Sequence, residues 1–155
     1  VACLNKRKFN KYDFSKLHPS GNLGTKLKTV EDLMITGKKI PFINENKKMK
    51  DALKIITNKK LGVLIVKNTK GKTTGIITDG QIRRSSQKNK DLQSLQVKKV
   101  MTKNPISIDK NTLAAKALNL MNSKKITSLC VTKNNIKNIT IGILHVHSIL
   151  EANIH

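Results

Sequence analysis

At 155 residues, 37% of them hydrophobic, the chain has room for one domain or two very small ones and enough apolar surface for a packed core. Its formal charge of +22 comes from 31 basic against 9 acidic residues, but Arg7, Arg83 and Arg84 are the only arginines and aromatics make up 3%. That is a poor kit for bidentate base reading or for stacking on single strands, and the lysines are scattered, so nucleic acid is set aside as a partner and the charge reads as compositional. No run of 18 apolar residues could cross a membrane, and Val1-Ala2-Cys3-Leu4-Asn5-Lys6-Arg7 is too short and too soon charged for a signal peptide. Cys3 and Cys130 supply no disulfide framework, which fits a reducing cytoplasm; the opening Val in place of Met suggests a fragment.

In chain order, Val1 to Lys8 could finish a helix, Asn10 to Phe14 forms a short turn or helix, and His18 to Gly24 is a loop rich in breakers. Thr29 can cap a short helix through Met34, with Glu31 and Asp32 in its first turn, and Gly37 ends it. Pro41-Phe42-Ile43 is extended. Met49, Ala52, Leu53 and Ile56 fall at i, i+3, i+4 and i+7, which predicts an amphipathic helix over Lys48 to Asn58. Leu61 to Val66 reads as a buried strand, Asn68 to Gly71 as a turn, Thr73 to Thr78 as a returning strand, and Asp79 to Arg84 as a helix. Ser85 to Ser94 is polar and reads as a linker. Beyond it come a helix at Val97–Met101, an extended Pro105–Ile108, a helix from Thr112 to Ser123, strands at Ser128–Thr132 and Ile139–His145, and a last helix from about Val146.

The second half repeats the first. Val30-Glu31-Asp32-Leu33-Met34 returns as Val97-Lys98-Lys99-Val100-Met101, and Gly75-Ile76-Ile77 as Gly142-Ile143-Leu144, each shifted by 67. Met49, Ala52, Leu53 and Ile56 return as Ala114, Ala117, Leu118 and Met121, shifted by 65. A period this long is a small α/β module rather than a solenoid unit. Neither copy buries its sheet alone, so the two are expected to pack on each other, with a ligand cleft between them.

The paired V-x-x-h-M starts, the amphipathic helix and Gly75-Ile76-Ile77-Thr78-Asp79-Gly80 resemble a tandem pair of CBS domains over residues 29 to 155. The resemblance implies an α/β (α+β) fold of two pseudo-symmetric β-α-β-β-α modules packed through their sheets, with CBS domain 1 at 29–90 and CBS domain 2 at 91–155. Upstream, Asp13-Phe14-Ser15-Lys16-Leu17-His18-Pro19-Ser20-Gly21-Asn22-Leu23-Gly24 looks like a segment of bacterial D-arabinose-5-phosphate isomerases, where a sugar isomerase (SIS) domain joins a CBS pair. Leu61-Gly62, Arg83-Arg84, Lys125-Ile126-Thr127 and His145-Val146-His147 also look like that family. Residues 1–28 would then be the end of an SIS domain and a linker.

That likeness implies a parent enzyme converting ribulose 5-phosphate to arabinose 5-phosphate for Kdo and lipopolysaccharide synthesis. The proton moves between C1 and C2 through an enediol, which calls for a general acid and base near neutral pH, and His18 matches the family's active-site histidine. Without the SIS core this chain is expected to be inactive by itself. The likeness further implies partners: the SIS domain of the same chain, and a second copy, in a dimer within a tetrameric parent. It implies no cofactor, but a nucleotide effector in the cleft.

CBS pairs commonly hold ribose and phosphate through a Thr or Ser at the last helix start and an Asp three residues on. Thr78 fits the first role, but the Asp position is Gln81; in the second copy the matching positions are His145 and Ser148. The missing carboxylates weaken an adenine-nucleotide site and leave room for a nucleotide sugar acid, CMP-Kdo, whose charges Lys60, Arg83, Arg84 and Lys125 could meet. Asp79 either caps its helix or pairs with Arg83. His145 and His147 could be half a metal site, but no third ligand is near in sequence, so no metal is expected. A purely structural, oligomerising module with an empty cleft is the alternative, and a basic nucleic-acid-binding module is the third.

Overall fold

The computed structural model describes residues 27–154. In chain order the elements are α1 (Val30–Leu33), β1 (Phe42–Asn44), α2 (Met49–Lys59), β2 (Val63–Lys67), β3 (Thr73–Thr78), α3 (Asp79–Lys88), α4 (Val97–Val100), β4 (Thr102–Lys103), β5 (Ser107–Asp109), α5 (Ala114–Lys124), β6 (Ser128–Thr132), β7 (Gly142–His145) and α6 (Val146–Glu151). Single 3₁₀ turns sit at Gly37–Lys39 and Leu92–Ser94.

Each copy carries its own sheet. β1 runs parallel to β2, and β2 and β3 form an antiparallel pair; β5, β6 and β7 repeat this arrangement. Period-two alternation explains how both sheet faces are used. Leu64, Val66 and Ile77 turn toward the helices of copy one, where Met49, Ala52 and Ile56 of α2 meet them. Val63, Ile65 and Ile76 turn the other way and meet Cys130 and Ile143 of copy two in a shared core between the sheets. Leu129, Val131 and Leu144 line the far side against α5. The expected packing of the two modules through their sheets is therefore what the chain adopts.

The repeat has a twofold logic at its centre. Thr73 and Thr140, equivalent under the 67-residue shift, share a hydroxyl–hydroxyl hydrogen bond of 2.6 Å. Ile35 and Ile143 exchange two backbone hydrogen bonds of 2.8 and 2.9 Å, and the equivalent pair in the other direction is Thr102 with Ile76.

Those contacts correct one expectation. The repeat pattern places each V-x-x-h-M helix at the start of the copy it precedes, but each packs on the other copy. Val30, Leu33 and Met34 join the core of copy two; Val97, Val100 and Met101 join that of copy one. β4 follows α4 and extends the first sheet to the order β1-β2-β3-β4. The reason is a steric lock: Met101 lies on Gly75 and Met34 on Gly142, where a side chain would collide with the methionines. The 85–94 segment is also more ordered than a linker, because α3 runs on to Lys88 and Leu92 is buried in the first core. The strand expected from Ile139 begins at Gly142, and the helix expected from Thr112 begins at Ala114.

Candidate functional site

A cleft of about 940 Å³ opens between the copies, where the strand ends and helix starts of both meet. Its two halves are built by the same rules. At the start of α3 the Asp79 N–H donates to the Gly62 carbonyl at 3.1 Å; at the start of α6 the Val146 N–H donates to the Thr127 carbonyl at 2.8 Å. Gly62 has φ +70°, and a Cβ there would come within 2.9 Å of an Asp79 carboxylate oxygen, so this glycine serves both a left-handed turn and a close approach.

The expected cations are partly brought together. Lys60 and Lys125 occupy equivalent C-caps of α2 and α5, and both line the cleft. Each is left-handed, with φ 58° and 57°, a place where glycine costs less. That both copies keep lysine there, at a backbone cost, puts a positive charge on each side of the opening. Arg84 also lines it, and its guanidinium folds back along α3 to 3.2 Å from where a Cβ on Gly80 would stand. Arg83 is exposed and does not line the cleft.

Thr78 is the true cap of α3: its hydroxyl accepts from the Gln81 N–H at 3.3 Å. Asp79 is thus the first helical residue rather than the cap, since the residue before it holds the cap's extended backbone, and no Asp79–Arg83 ion pair forms. The Gln81 side-chain amide donates to the Val100 carbonyl, tying α3 to the exchanged helix α4. The residue in place of the family aspartate therefore has a structural partner, although it still faces the cleft.

In the second half, His145 replaces the threonine. Its Nδ1 accepts from the His147 N–H at 3.1 Å, so an imidazole caps α6. The two rings stack with centroids 4.8 Å apart. Burial, and then the neighbouring His147, push His145 below the ordinary histidine pKa. Ser148 lines the cleft beside them. Among the described residues no group of His, Cys, Asp or Glu is arranged to hold a metal ion, and no helix is long and apolar enough to cross a membrane.

Sequence reasoning missed Glu151 and His147 as lining residues. The 67-residue shift applied to Arg84 and Gly80 would have found them. His18, with residues 1–26 and so the Cys3 thiol, lies outside the described residues. Cys130 is a free, buried thiol held protonated by burial, its pKa pushed up to about 11.

Comparison with known proteins adds the context. The chain is 40% identical over 155 residues to "Arabinose 5-phosphate isomerase KdsD" of Salmonella typhi, covering 99% of this chain but 46% of that protein. It thus spans about half the length of the curated relatives it matches. In fold it is similar to CBSX2 solved in complex with AMP (TM-score 0.68, 24% identity, 81% of this chain and 95% of that one). It is also similar to the CBS domain pair of MJ0100, solved with 5′-methylthioadenosine and S-adenosyl-L-methionine (TM-score 0.71, 20% identity, 81% and 94%). The CBS domain family matches residues 30–88 and 97–155, the same two copies that flank the cleft, and the chain belongs to that family as a tandem CBS pair.

Proposed function

We propose that this chain is the regulatory CBS pair of an arabinose-5-phosphate isomerase, and that its cleft binds a nucleotide or nucleotide sugar, with CMP-Kdo the favoured effector. The carrying observation is the twice-repeated lysine, Lys60 and Lys125, held in a left-handed cap at the mouth of one shared cleft. With Arg84 these groups suit a ligand bearing more than one negative charge. The likeness to KdsD supports the parent activity, the SIS domain in the same chain and the Kdo pathway. The adenosyl ligands of CBSX2 and MJ0100 support a nucleotide of some kind. The positions expected to hold ribose are Gln81 and Ser148, neither of them a carboxylate, which favours a ligand other than AMP. Assembly would follow as CBS dimers within a tetrameric cytoplasmic enzyme, with His18 acting at the active site of the intact parent.

The hydrogen bond from Gln81 to Val100 favours a second reading, a structural module that holds the enzyme together with its cleft empty. A melting series with CMP-Kdo, CMP, AMP, ATP and a short DNA duplex, at low and high salt, separates the readings. Ligand at 100 times its dissociation constant adds about 2.7 kcal/mol, a rise of roughly 5–10 °C for a chain of this size. A salt-resistant rise with CMP-Kdo and none with AMP supports end-product sensing. No rise with any nucleotide leaves the structural module, and a rise only with DNA at low salt reports charge alone.

A further inference from the structure

We propose that His147 is an anion-sensing residue of the cleft, positioned by His145, and that an anion bound beside it brings a proton with it. This rests on reading the cleft as an anion site, and it narrows the ligand to one whose negative charge reaches the second copy's half.

The two halves of the cleft share a backbone plan but differ in proton chemistry. In copy one the helix is capped by the Thr78 hydroxyl, which has no proton to gain in the neutral range. In copy two it is capped by the Nδ1 lone pair of His145. That hydrogen bond fixes the neutral His145 ring with its hydrogen on Nε2. A second proton would have to displace the His147 N–H from Nδ1, in a half-buried place beside another imidazole. Of the two stacked rings, His147 is exposed and carries no capping duty, so it is the one a ligand in the cleft can reach. α6 is only six residues long and offers little anion affinity through its own backbone. What the second half has to present is the His147 ring, held over the opening by the stack with His145.

The charged groups lining the cleft with this ring are Glu151 one helical turn on, Lys125 at the end of α5, and Lys60, Asp79 and Arg84 from copy one. Three cations against two carboxylates leave a net attraction for an anion, and Glu151 is the in-chain competitor for the imidazolium. An anion that settles near His147 stabilises its charged form, and by linkage the same anion binds more tightly as the pH falls.

The test uses the whole 155-residue chain and sulfate, whose charge does not change between pH 5.5 and 8. Histidine ring resonances are followed by NMR against pH in sulfate and in chloride at equal ionic strength. The proposal expects the His147 midpoint to rise by about half a unit or more in sulfate, matching about threefold tighter sulfate binding at low pH. It also expects the shift to shrink in His145→Thr, which copies the cap of copy one but removes the stacking ring, and the pH dependence to vanish in His147→Gln. An unmoved His147 midpoint overturns the proposal, as does a shift that belongs to His145 and survives in His147→Gln. Nucleotide binding that is indifferent to pH would sink this inference and leave the proposed function standing. A sulfate-linked His147 with no nucleotide bound in the melting series would do the reverse.

Discussion

Gly75→Ala probes the lock that exchanges the short helices. A Cβ at position 75 would lie 2.8 Å from Met101 Cγ and 2.9 Å from the Thr102 carbonyl oxygen. The methionine, packed against the first core, has to be displaced, and the carbonyl is held by the β3–β4 ladder, where Gly75 pairs with Lys103 and Ile76 with Thr102. Overpacking of this kind costs about 1–3 kcal/mol, and a weakened ladder hydrogen bond adds about 0.5–1.5. Against this, alanine is better than glycine in a strand by about 0.5–1 kcal/mol. The net expectation is a loss of about 2 kcal/mol, read as a lower urea midpoint with unchanged slope and a melting temperature lower by roughly 4–8 °C. In a Met101→Ala background the same change should cost about 1 kcal/mol or less, because only the carbonyl contact remains. A neutral Gly75→Ala, or an equal cost in both backgrounds, would refute the claim that this contact clamps α4 onto the first copy. Gly142→Ala, whose Cβ would lie 2.7 Å from Met34 Sδ and 3.1 Å from the Ile35 carbonyl oxygen, should lose less.

The remaining expectations concern single groups. Thr73→Val leaves the Thr140 hydroxyl at the centre of the pair with only the weak Cys130 thiol as partner and should cost about 1 kcal/mol in urea unfolding, whereas the Thr73→Val, Thr140→Val double variant should lie closer to wild type. Lys125→Gly should raise stability by about 0.5–1 kcal/mol by relieving a left-handed cap, while weakening any anion in the cleft; calorimetry and a binding titration on one sample read both signs. His145 is held neutral in the fold, below the ordinary 6.5, so the unfolded chain takes its proton first. The stability it contributes is complete above pH 6.5 and drains as pH falls through that value toward the folded one; His145→Thr should flatten this part of a melting profile. Cys130, with its pKa near 11, should ignore thiol reagents at pH 8 until the chain unfolds, and quick labelling of the native protein would contradict its place between the sheets.

Alternation and helical spacing made the elements legible. Val63 to Val66 is apolar at every position because both faces of β2 are used, and Met49, Ala52 and Ile56 mark the buried stripe of α2. What they do not encode is the partner. Val30 and Val97 are fully buried, as their pattern suggests, but hydrophobicity is the same whichever copy receives them. The complementary shapes were present as Met34 with Gly142 and Met101 with Gly75, each a large residue facing an absent one. The cleft was legible through Thr78, Lys60 and Lys125, whose positions repeat. Arg83 was not separable from Arg84 by sequence, because neighbours on a helix diverge by about 100° and only one faces the opening.

The exchanged helices bear on how such a chain could have arisen. A lone copy would offer a helix to a neighbour and an empty seat for the neighbour's own, and two identical copies would satisfy each other through one closed twofold exchange. Joining them through residues 89–96 replaces a concentration-dependent encounter with a tethered one. Once tethered, the halves no longer need to stay identical. Thr78 could stay a hydroxyl while its counterpart became His145, and Arg84 could face Glu151. Fusion of this kind turns a symmetric mouth into one with a distinguishable left and right, so an unsymmetrical molecule entering it has one orientation to prefer.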